Sequence, residues 1–172
     1  MPTEQTEQQN VNRRALSMWQ PFASLLAAGI KQVDSRGFNT NFRGEFFIHA
    51  SQSIPRQVYD DYYLGKILFR QIVNEFLHVS KNSTLSILDF RQGFTLGAIV
   101  GKGTLLYSSP SSEVKRAHEL KAMSKRWEIE EALGDHGPGR WAWEVLDPEL
   151  LPPQPIKGRQ QIFWKIPDNF LI

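Results

Sequence analysis

The stretch FTLGAIVGKGTLLYSS, Phe94 to Ser109, constrains the fold more than any other segment. It reads as one long strand. Its interspersed glycines mark places where a strand bends, as in the wall of a barrel. Shorter strands read on either side of it: KQVDSR, GEFFIHAS (Gly44 to Ser51), RWAWEVL and the closing RQQIFWKI. Helical patterns lie between them, over 55–79 with Gly65 as a break, and over 113–133 with a thin apolar stripe. SKNSTLSILDFRQG reads as a polar connection and DPELLPPQPIKG as a proline-rich crossover. Strands alternating with helices, without an internal repeat, predict an α+β fold around a small curved sheet or barrel of five or six strands.

The chain has 172 residues, enough for one domain with a sizeable core. The expected division is a disordered tail over 1–13, polar and glutamine-rich, and one domain over 14–172 with the two helical insertions. No run approaches the roughly 20 apolar residues that span a bilayer, so no membrane association is expected. The absence of cysteine excludes disulfides, thiolate metal sites and cysteine nucleophiles, and fits a reducing cytoplasm. The net charge of +2 is too small for bulk electrostatic attraction to nucleic acid, so such binding needs a local basic patch.

Chemistry concentrates near the N-terminal end of the domain. WQPFASLLAAG reads as a short helix, with Pro21 at its first position and Gly29 just past its end. Ala23, Ala27 and Ala28 give it a face of small residues that a strand or ligand can approach closely. Alternation along the next strand puts Lys31, Val33 and Ser35 on one face and Gln32, Asp34 and Arg36 on the other. Lys31 can bind phosphate as a point charge, or serve as a base if desolvated, or snorkel at the surface. Asp34 and Arg36 read as a salt bridge, with Arg36 able to bridge onward to a phosphate. Trp19 can stack on a base or staple the helix start. Gln20 carries the donor and acceptor that a base edge needs. His49 can read a base, shuttle a proton, or simply be hydrogen-bonded at a strand end. His78, His118 and His136 lack metal-ligand spacing, so neither a metal nor a cofactor is expected. GAIVGKGT is one residue short of a phosphate-binding loop and reads as continuous strand.

These segments together resemble the ASCH family, the activating-signal-cointegrator homology domains. LSMWQPFASLLAAGIKQVDSR is similar to its L-S-x-x-Q-P-[WF]-A and G-x-K-x-x-[ED]-x-R signature. RGEFFIHAS, GAIVGKGTL, RWAWEV and PIKGRQQIFWKI resemble its later strands, in the right order. The resemblance implies a PUA-like β-barrel with a ligand cleft beside the first helix, and binding of RNA or single-stranded nucleic acid. Some small members hydrolyse acetylated cytidine, with the pattern G-x-K-T-x-T-x-R. This chain departs from that pattern, with Gln32 and Asp34 where the threonines stand, and an aspartate offers no hydroxyl. Glu45 and Glu144 are guesses for the third partner.

The first expectation is therefore a cleft lined by Trp19, Gln20, Lys31, Arg36 and His49 and rimmed by Arg43, Lys157 and Arg159. It would bind nucleic acid, with affinity falling steeply as salt rises. The second is a hydrolase acting on a modified nucleoside or RNA, with Lys31 and Asp34 catalytic. A third is a protein-interaction adaptor using the two helical insertions.

Overall fold

The structure, a computed structural model, describes residues 13–172. All of the expected tail except Arg13 lies outside the described residues. In chain order the elements are β1 (Arg14–Met18), α1 (Phe22–Ala27), β2 (Val33–Arg36), β3 (Gly44–Ala50), α2 (Arg56–Leu64) and α3 (Ile67–Phe76). Then come α4 (Ile87–Gln92), β4 (Ala98–Pro110), α5 (Ser111–Leu120), α6 (Ser124–Ala132), β5 (Trp141–Pro155) and β6 (Phe163–Lys165). The strands form one sheet in the order β2-β5-β4-β3-β1-β6. β1 and β3 run parallel, and every other pairing is antiparallel. The fold is α+β, a six-stranded half-barrel with helices packed around it, as expected.

The bend expected in the glycine-rich strand is present. The β4–β5 register shifts three times, and two of the shifts fall beside Gly101 and Gly103. Leu16, Phe46, Ile48, Leu105, Trp143 and Val145 fill the concave side of the sheet, and Ala23, Leu26 and Ala27 of α1 complete this core. Leu25, on the other side of α1, joins a second core with Val58, Tyr62, Phe69, Val73 and Phe90 of the helical layer. The short α1 thus belongs to both cores, which fixes whatever follows it.

Three readings are corrected. The proline-rich segment after Leu146 is not a crossover, because β5 continues to Pro155. Proline is tolerated there because β2 pairs only with Trp141–Glu144, leaving the distal half of β5 bonded to β4 alone. The polar connection contains α4, capped by Ser86, whose Oγ accepts from the Asp89 amide at 3.1 Å. The closing strand is only Phe163–Lys165.

Asn74 ties the helical layer together. It is fully buried, accepts from the Tyr62 hydroxyl at 2.7 Å and donates to the carbonyls of Ser80, Lys81 and Ser83. Asn74→Ala strands these groups, and urea denaturation should record a loss of about 1–3 kcal/mol. The α3–α4 loop should open first.

Candidate functional site

The chain leaves α1 through Gly29, at φ +74°, and the amides of Ile30 and Lys31 both donate to the Leu25 carbonyl at 3.0 Å. This is a glycine-terminated helix end, and it holds Lys31 in one orientation. Lys31 is 2 % exposed. Its Nζ donates to the Leu133 carbonyl at 3.3 Å, lies 3.9 Å from Glu130 and sits 6.0 Å from the centre of the Phe22 ring. Burial pushes its pKa below the usual 10.5, more than the carboxylates of Glu130 and Asp34 restore.

Glu130 is the functional neighbour that sequence reasoning missed. Its carboxylate accepts from the Gln32 amide at 2.8 Å and the Val33 amide at 3.3 Å, and it pairs with Arg126. It comes from α6, about a hundred residues from Lys31 in sequence, inside a segment that looks like charged surface. Glu45 lies instead on the exposed side, bonded to Lys102. Glu144 lies in β5 opposite Val33. Neither lines the cleft described next.

Lys31 forms part of the floor of a cleft of about 940 Å³ between the sheet and the helical layer. One wall is Ser17–Trp19 and Phe22, a second is Asp34–Gly37, and the third is Gln57, Asp61 and Lys66 with the end of α6. Lys66 donates to the Glu131 carbonyl at 2.6 Å and so joins the α2–α3 junction to α6. The floor is closely packed at Gly134, where a Cβ would lie 3.4 Å from Lys31 Nζ and 3.2 Å from His136 Nε2.

Asp34 and Arg36 form the expected pair, Nε donating at 2.7 Å, while the guanidinium sits over the Trp143 ring at 5.5 Å. Asp34 reaches the same cleft as Lys31, although alternation put them on opposite faces. The reason is that β2 starts only at Val33, so Lys31 is not in the strand. Arg140 donates to the Ser35 carbonyl at 3.0 Å and stands beside Gly37. The terminal nitrogens of Arg36 and Nη1 of Arg140 have no protein hydrogen-bond partner among the described residues. Four cations line the cleft (Lys31, Arg36, Lys66, Arg140) against four carboxylates (Asp34, Asp61, Glu131, Asp135). The cleft is therefore polar without a large net charge.

The other named residues divide. Trp19 stands at the cleft, 46 % exposed, whereas Trp127, Trp143 and Trp164 are buried. Gln20 is fully buried, its amide held by Ser24 and the Thr95 carbonyl. His49 is buried between Ser17 and the Ile156 carbonyl. Arg43 is exposed at a separate groove with Arg14, Phe42 and Phe163, sharing no residue with the cleft. Lys157 and Arg159 flank Gly158, which lies against Ser17 and His49, and neither lines the cleft.

Behind the floor, His136 faces Trp127 at a ring separation of 4.8 Å, with Nδ1 3.2 Å from Ser111 Oγ. Burial, aided by the nearby Lys31 charge, lowers its pKa from 6.5 to about 4. The unfolded chain thus takes up a proton near pH 6.5 that the folded protein refuses until about pH 4. Stability should be unaffected by this group above that window and fall as pH descends through it. In His136→Phe, denaturation midpoints should fall less over the same range.

No family model matches the chain, and no curated protein matches it. Among solved structures it is similar to the crystal structure of ASCH from Zymomonas mobilis, at 10 % identity and a TM-score of 0.47 over 91 % of this chain and 88 % of that one. Two mutant forms of that protein are also similar. One is 10 % identical, with a TM-score of 0.46 over 91 % of this chain and 89 % of that one. The other is 12 % identical, with a TM-score of 0.42 over 84 % and 76 %. At these values no residue role and no activity passes from them to this chain.

Proposed function

We propose that the cleft binds single-stranded nucleic acid, RNA foremost, by taking in one unpaired nucleotide. The observation that carries this reading is Trp19: a large aromatic ring left exposed at the wall of a polar cleft. A base stacked on such a ring gains about 1–3 kcal/mol. The open nitrogens of Arg36 and Arg140 suit a phosphate at the rim, and Lys31 supplies a buried donor to a base or ribose oxygen. With cations and carboxylates balanced, a long basic track along the backbone is not the basis of affinity. The lack of cysteine fits a reducing compartment such as the cytoplasm.

Titration of a short labelled RNA tests this. Trp19→Ala should weaken binding by about 1–3 kcal/mol, and binding should quench the Trp19 fluorescence. Arg43→Ala, at the separate groove, should change little. Equal losses in both variants would move the contact surface off the cleft.

A second reading rests on Lys31 alone. A buried amine of lowered pKa beside Asp34 can act as a base on a modified nucleoside bound in the same cleft. It predicts that Lys31→Met abolishes turnover of an N-acylated nucleoside while the fold persists. Unchanged turnover would reject it.

A further inference from the structure

We propose that Ser17, paired with His49, is a covalent nucleophile at the edge of the cleft, reactive toward acyl groups of ester-type substrates. This goes beyond the nucleic-acid reading and does not depend on it. The parallel register of β1 and β3 sets Ser17 opposite His49, with Oγ 2.9 Å from Nδ1. His49 Nε2 lies 2.8 Å from the Ile156 carbonyl oxygen. A carbonyl can only accept, so Nε2 carries the proton and Nδ1 presents its lone pair to Ser17. The serine hydroxyl therefore donates to the imidazole. Trp164 Nε1 donates to the same Oγ at 3.0 Å, where it would stabilise charge developing on the oxygen.

A hydroxyl, a base bonded to it and a group orienting the base are the parts of an activated nucleophile. Burial lowers the His49 pKa, so the ring is in its neutral, basic form at neutral pH. Ser17 is half-buried and lines the cleft, whereas His49 is 1 % exposed. The backbone of Gly158 covers the pair from another side, since a Cβ there would fall 2.9 Å from both Nδ1 and Oγ. The base is thus shielded, while Ser17 is a residue of the cleft wall.

In the acylation step Oγ bonds to the acyl carbon while its proton passes to Nδ1. The bond to the leaving oxygen then breaks, and Nδ1 returns that proton to the departing alkoxide. Water next attacks the acyl-serine, gives one proton to Nδ1, and releases the carboxylic acid as Nδ1 reprotonates Oγ. No cofactor enters the balance.

The test treats the full chain with a fluorophosphonate, which bonds through phosphorus to Oγ as fluoride leaves and the hydroxyl proton passes to His49. Peptide mass spectrometry locates the adduct. One adduct on Ser17 is expected, absent in Ser17→Ala and formed about 100-fold or more slowly in His49→Gln. Urea-unfolded wild type provides the same comparison without a substitution at the buried histidine, and its Ser17 should be unreactive. No adduct on Ser17, or one formed equally fast in unfolded protein or in folded His49→Gln, would overturn the proposal.

Discussion

Replacing Glu130 by alanine is expected to destabilise the protein by about 3–5 kcal/mol, the cost of leaving a buried charge without its partner. Glu130 and Lys31 are both nearly inaccessible, at 1 % and 2 % of side-chain surface, and they share their surroundings with Arg126. Removing the carboxylate leaves the Lys31 ammonium with the Leu133 carbonyl as its hydrogen-bond acceptor and Asp34 as the remaining nearby carboxylate. It also strips the Gln32 and Val33 amides of their acceptor just where β2 begins. Lys31 should respond by losing its proton at still lower pH. Urea denaturation measures the stability loss. Glu130→Gln keeps an acceptor for the amides and should recover part of it. A loss below about 1 kcal/mol, the usual worth of an exposed pair, would mean that water reaches this carboxylate.

The next largest effect is expected from Gly101→Val, which should cost about 3 kcal/mol or more, at the top of the range for overpacking. A Cβ at Gly101 would run into Ala27 and come within 2.6 Å of the Glu149 carbonyl oxygen. Neither neighbour is a flexible side-chain end, so α1 must move off the sheet. Because α1 leads through Gly29 into Lys31, the same shift displaces the cleft floor. Thermal unfolding records the first effect, and titration of the proposed RNA ligand tests the second. Gly44→Ala provides the contrast. It has open space around its Cβ, so its cost is limited to the strain of its φ of +122°.

Ala27 and Gly101 also illustrate what local pattern discloses. A face of small residues on a short helix announces a close neighbour, and a glycine-rich strand announces a bend; the structure joins the two. The helix–glycine–lysine junction was legible for the same reason, since a helix that ends in glycine fixes the direction of the next residue. Glu130 was not legible. Its role depends on α6 folding back over β2, and nothing in a charged helix distinguishes an inward glutamate from its exposed neighbours. The proline-rich half of β5 misled because proline argues against a central strand, and only the sheet order reveals that this half is an edge. SILD, Ser86 to Asp89, did carry a capping signal that marks the start of α4. The Ser17–His49 contact needs the parallel β1–β3 pairing, which a sequence shows no more readily than it shows Glu130.

The central claim is that the cleft, with Trp19 at its wall and Arg36 and Arg140 at its rim, binds single-stranded nucleic acid. The most direct test is the salt dependence of affinity for a short single-stranded RNA, in wild type and in Arg36→Ala. One phosphate held by Arg36 and Arg140 predicts a shallow slope of log affinity on log salt, about −0.7, moving toward zero in Arg36→Ala. Absence of binding at low salt would contradict the claim. So would a slope that Arg36→Ala leaves unchanged while Arg43→Ala reduces it, because the nucleic acid would then lie on the other groove.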